Sequence, residues 1–186
     1  MATFVNNLRL KEITTGDESG TWGSSTNTNL ELIGEALGYG TEAITTNADT
    51  HASTVADGST DEARAMYIKY TGTLDSTCTI TIGPDTMKRV QFIENATSGG
   101  QSIIIKQGSG ATVTIANGAM KVVYLDGAGT GAAVVDALVD LDLTGTTTAV
   151  NVTASGTITT ANVTISGIVS AADGTAGAPS ITNTGD

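Results

Sequence analysis

The sequence predicts a mainly β protein: a short N-terminal helix, a small antiparallel β-sandwich or jelly-roll-like domain, and a Thr/Gly-rich β-shaft completed by sister chains. Three observations predict it. Between residues 39 and 138, aliphatic residues alternate with polar ones at period two, in short runs separated by Gly-containing turns. Ahead of that region, one capping-box pattern opens a single run at helical spacing. Behind it, residues 141–173 divide into three eleven-residue copies, LDLTGTTTAVN, VTASGTITTAN and VTISGIVSAAD. With 23 Gly against 2 Pro in 186 residues, and charged side chains at 15%, the composition favours strands and tight turns over helix.

Residues 1–38 are expected to form a polar, turn-rich N-terminal segment with a short helix. Its apolar side chains are few, and Leu8 and Leu10 mark a short extended piece. The one Trp, Trp22, sits between Gly20-Thr21 and Gly23. A segment with one large aromatic and no core of its own docks on something else, either its own globular domain or another protein. The helix is predicted over residues 29–37, with Thr28 as N-cap, Glu31 completing the box and Gly38 at C′. Leu30, Ile33 and Leu37 fall on one face. Nine residues of helix are marginal alone, so that face is expected against a partner or a symmetry mate.

Residues 39–138 carry the predicted sandwich. Strands are expected around Met66, Ile68 and Tyr70; around Cys78, Ile80 and Ile82; and around Val90 and Phe92. Further strands follow at Ile103 and Ile105, at Val113 and Ile115, and over residues 120–125. The pair Asn117-Gly118 is the strongest short hairpin signal in the chain. Residues 134–139 are expected to close the sheet.

Residues 139–173 form the predicted shaft. Stacking its copies puts Leu141, Val152 and Val163 in one column, Leu143, Ala154 and Ile165 in another, and Gly145, Gly156 and Gly167 in a third. Two or three inward aliphatics per copy cannot offset a backbone ordering cost of about 1–2 kcal/mol per residue. The missing core is expected from identical chains wound about a common axis, with Leu141, Leu143, Val152, Val163 and Ile165 as its interior. Residues 174–186 lose the regularity and are expected to be a joint to a further module.

The net charge of −11 comes from 19 acidic against 8 basic residues, and Lys121 is the last basic one. Nucleic acid is therefore not an expected partner, because such binding rests on Lys and Arg neutralising phosphates. The N-terminus lacks an apolar signal core and no run approaches ~18 apolar residues, so neither secretion by a cleaved signal nor membrane insertion is expected.

No catalytic residue, cofactor site or metal site is expected. His51 lies in a Thr/Asp-rich stretch with no triad partner evident from sequence. The adjacent carboxylates Asp61 and Glu62, and Asp17 and Glu18, are expected to be solvated turn charges. The run from Asp126 to Gly131 lacks the Lys-Ser/Thr of a phosphate-binding loop and is expected to be a flexible turn. The lone cysteine, Cys78, is expected to be a small buried hydrophobe.

The opening stretch FVNNLRLKEITTGDESGTWGSSTNTNLELIGEALGYGTEAITT resembles the N-terminal region of tail-fibre-like structural proteins of marine tailed bacteriophages, including cyanophages. The likeness continues through ARAMYIKYTGTLDSTCTITIGP and FIENATSGGQSIIIKQGSGATVTI, and the closing APSITNTGD resembles the start of a module that follows in such proteins. The resemblance implies a homotrimeric virion appendage, with no enzyme activity, whose N-terminus attaches to a tail, baseplate or adaptor protein. Its distal part then projects toward the host surface and its glycans. On that reading Leu8, Leu10, Trp22, Leu30, Ile33 and Leu37 are the attachment and trimer contacts. The alternatives are a head-attached fibre or decoration protein and a carbohydrate-binding adhesin module.

Overall fold

A computed structural model describes residues 3–139 together with 141, 148, 149, 152, 153 and 166. Two compact units divide the chain, Met1–Asp142 and Leu143–Asp186, and the fold below is that of the first. Of the predicted shaft core, Leu143, Val163 and Ile165 lie outside the described residues, whereas Leu141 and Val152 are described and exposed.

The described residues are mainly β, with one α-helix and three sheets, none closed into a barrel. A hairpin of β1 (Thr3–Val5) and β2 (Leu10–Glu12) leads into helix α1 (Trp22–Ala36). The chain then coils. Strand β3 (Tyr39–Ala43) joins one sheet and β4 (Thr50–Thr54) the other. Strands β5 (Tyr67–Thr71) and β6 (Cys78–Gly83) repeat the alternation, as do β7 (Arg89–Asn95) and β8 (Ile103–Lys106). Strand β9 (Val113–Ile115) stays in the second sheet, and β10 (Met120–Leu125) and β11 (Val134–Asp136) finish the first. The sheet orders are β11-β10-β7-β5-β3 and β4-β6-β8-β9.

This arrangement corrects the expected antiparallel jelly roll. The central pairs β3–β5, β5–β7, β4–β6 and β6–β8 are all parallel, and within these two sheets antiparallel pairing is confined to β8–β9, β7–β10 and β10–β11. Register places Tyr39 opposite Tyr67 and Tyr67 opposite Phe92, so successive coils advance by 28 and then 25 residues. Asn117-Gly118 does make a turn, with Gly118 at φ 74° and Ala119 N–H donating to the Ala116 carbonyl at 3.0 Å. The strands on either side enter different sheets, so the turn is a crossing and not a hairpin.

One core lies between the sheets, with Ile68, Tyr70 and Ile93 contributed by one sheet and Ile80, Ile82, Ile103 and Ile105 by the other. Cys78 is buried in it as expected, its thiol pushed up in pKa mainly by burial. Coils stack closely enough that their corners need glycine. Gly72, at φ 124°, would place a Cβ 2.5 Å from the Ile44 carbonyl oxygen, and Gly99, at φ 97°, would drive one into the Leu74 carbonyl.

The helix is longer than expected, starting seven residues earlier at Trp22 with Thr21 as a cap whose side chain accepts no hydrogen bond from the helix. Its first half, WGSSTNT, has low intrinsic helix propensity. Tertiary hydrogen bonds hold it instead. Asn29 exchanges two bonds with the Lys11 backbone, at 2.9 and 3.0 Å, and Lys11 Nζ reaches Ser25 Oγ at 3.1 Å. Leu32 and Ala36 supply the buried stripe, and Leu30, Ile33 and Leu37 point outward.

Candidate functional site: an exposed apolar face

Arg64 fixes the N-terminal segment on the coiled region. It is fully buried on a short 3-10 turn, Glu62–Arg64, and its guanidinium donates to the carbonyls of Leu8, Ala56 and Ser59. Asp61 caps that turn and pairs with Arg64 at 2.9 Å, while Glu35 of α1 approaches Arg64 at 3.6 Å. Asp61 is thus a structural partner of a buried cation, a correction to its expected role as a solvated turn charge. Burial raises the pKa of Glu35, the Asp61 N–H bond opposing it. Neighbouring Arg89 donates to the carbonyls of Ala63, Arg64 and Ala65, and burial pulls its pKa down to about 10.

With α1 so placed, its outward stripe meets the outer side of the five-stranded sheet. Leu8, Ile33 and Leu37 from the N-terminal segment line one groove with Met66, Arg89 and Val90. Trp22, Leu30 and Leu37 are 61%, 61% and 69% exposed. Three of the six expected contact residues therefore share a groove. Trp22 and Leu30 continue the same helical stripe beyond it, and Leu10 is half-buried on β2.

The sheet half of this face lies outside every sequence expectation. Parallel register stacks Tyr39 on Tyr67 at 5.3 Å between ring centroids, and Tyr67 on Phe92 at 6.5 Å, with interplanar angles of 24° and 14°. The next position in that row is Val122, and Val90 lies opposite Tyr124 one step along. The Tyr67 hydroxyl donates to Glu94 at 2.7 Å, which raises the Tyr67 pKa and, with Lys69, holds the Glu94 carboxyl low. Only the 28- and 25-residue offsets reveal this ladder, and no short-range pattern in the sequence encodes them. Tyr67 has a ring neighbour on each side, whereas Tyr39 on the edge strand stacks on one side only and is 60% exposed.

A second cluster lies inside the first coil. Glu42 binds His51 Nε2 at 2.7 Å through one oxygen and the Ser53 hydroxyl at 2.5 Å through the other, and the buried Tyr70 hydroxyl donates to Ser53 Oγ at 2.9 Å. Nucleophilic serine chemistry needs the imidazole on the serine oxygen, with the carboxylate behind it. Here the carboxylate stands between the two. The cluster instead satisfies its own polar atoms at the end of the core, as terminal repeats of a solenoid do.

The run from Asp126 to Gly131 is a packed turn, in contrast to the flexible one expected. Asp126 Oδ1 accepts from the Ala128 and Ala133 N–H groups at 3.0 and 2.9 Å. Among the described residues there is no cluster of three or more metal-ligating side chains, and no helix is long and apolar enough to cross a membrane. Comparison with models of known protein families, with curated proteins and with solved structures finds no match to this chain.

Proposed function

We propose that this chain is a structural virion protein, the proximal part of a homotrimeric phage tail fibre that anchors to the tail and projects toward the host for adsorption. The observation behind the reading is the apolar face of α1 and its adjoining sheet. A folded unit with a complete core of its own still leaves Trp22, Leu30 and Leu37 in water. Contiguous exposed apolar surface of this kind marks contact with another protein. The resemblance of the N-terminal stretch to tail-fibre-like proteins supplies the kind of assembly. The eleven-residue copies supply the rod: in this reading residues 139–173, which follow the two-sheet sandwich in the chain, become a β-shaft once three chains wind together.

Virion reconstruction tests the reading. Density for the N-terminal segment on the tail supports it, and density on the head lattice replaces it with a head-attached fibre. Light scattering is the quicker experiment. A trimer whose mass does not change with concentration is the expected result, and a monomer of 18.7 kDa would remove the proposal.

A further inference from the structure

We infer that copies of this chain associate with one another through the α1 side of the apolar face, identical helices meeting along a seam of Gly23, Thr26, Leu30, Ile33 and Leu37. The inference deepens the fibre reading and rests on it for the fact of assembly. What it adds is the surface and its occupant, a second copy of the chain.

Spacing along the helix marks the seam. Those five positions follow one another by 3, 4, 3 and 4 residues, the interval at which the a and d positions of a coiled-coil seam recur. At about 100° per residue the seam stands roughly 120° round the helix from the buried Leu32 and Ala36 stripe, so using it leaves the chain's own packing intact. A Cβ added at Gly23 or Gly34 would meet nothing within 4 Å, which leaves room for a second backbone to come close.

Charge favours the same surface. A chain of net charge −11 repels its own copies unless they meet where no carboxylate is exposed. Glu35 turns inward to Arg64, and Glu31 stands about 120° from the seam. Arg89, the one charged side chain lining the groove, is spent on three backbone carbonyls. On the adjoining sheet, Lys69 and Glu94 pair with each other at 3.4 Å.

The area is also sufficient. The exposed apolar side chains of the helix stripe, together with Tyr39, Val90 and Tyr124, offer roughly 700–900 Å², against the ~800 Å² that one partner contributes to a standard interface.

Oxidative cross-linking of the full chain tests the inference, with light scattering to establish assembly. The wild type is expected to be a multimer, and a monomer at the 18.7 kDa of one chain overturns both this inference and the fibre reading. Leu30→Cys with diamide as oxidant is expected to give disulfide-linked pairs of chains, and Thr81→Cys on the opposite sheet none. A folded, multimeric Leu30→Cys variant without linkage overturns this interface but leaves the fibre reading standing. Leu37→Cys gives the same readout should Leu30→Cys misfold, and absence of linkage there has the same meaning.

Discussion

The two sheets share one core and turn different faces to water. On the five-stranded sheet the outer row is Tyr39, Tyr67, Phe92 and Val122, and on the four-stranded sheet the equivalent row is Thr50, Thr79, Ile104 and Thr114. Inward, each sheet sets isoleucine beside isoleucine, Ile68 with Ile93 and Ile80 with Ile105. The fold is therefore specified from inside, and the outside is free to differ. A threonine ladder suits strands that remain solvated, and an aromatic one leaves apolar surface exposed.

Four experiments probe that contrast. Arg64→Ala has the largest expected effect, because it leaves Asp61 and three carbonyls without their buried partner. The loss should be about 3–5 kcal/mol in urea denaturation. Proteolysis of residues 8–38 should accelerate as α1 loses its anchor on the five-stranded side.

Next come inner and outer neighbours on one strand. Ile80→Ala, in the core, is expected to cost about 2–4 kcal/mol, whereas Thr81→Ala on the solvated face stays within about 0.5 kcal/mol. Equal costs would mean that the threonine face is also covered. The two outer faces are then compared directly. Tyr67→Ala removes the middle ring of the ladder at an expected ~1–2 kcal/mol, against a few tenths for Thr79→Ala at the equivalent place on the other sheet.

The smallest effect depends on pH. Burial places the folded-state pKa of Glu35 above that of the unfolded chain, so its contribution is full below the ordinary glutamate range and is lost as pH rises through the shifted value. Glu35→Gln removes that loss. Its denaturation midpoint should gain on wild type between pH 4 and pH 7, and a gain that is constant with pH would contradict the sign.

Six of the strands between residues 64 and 125 are legible in the sequence, because apolar residues alternate there with Thr and Lys. On β7 the alternation misleads about the core side: Val90 and Phe92 face outward, and Gln91, Ile93 and Asn95 face the core. The pairing of the strands is not legible. A strand with one buried face looks the same whether its neighbour runs parallel or antiparallel, and coils of 28 and 25 residues with no shared motif leave no repeat to detect. Strands β3 and β4 escape notice for a different reason. Their inward positions are Gly40, Glu42, His51 and Ser53, polar or small where the pattern demands apolar, since they end the core. Of the candidate face, the stripe Leu30, Ile33 and Leu37 can be read from helical spacing. Tyr39, Val90 and Tyr124 cannot, because register alone makes them neighbours.

Stacking coil upon coil has a consequence for how such a molecule varies in length. Each turn of the chain lends both sheets one strand and meets only the turns immediately before and after it, while β9–β11 seal one end and the Glu42–His51 layer seals the other. Duplicating or deleting the segment that carries β5 and β6 would lengthen or shorten the body by one strand spacing, about 4.8 Å, in each sheet. Neither seal would need a new sequence. Reach is thus an adjustable dimension of this architecture, set by copy number.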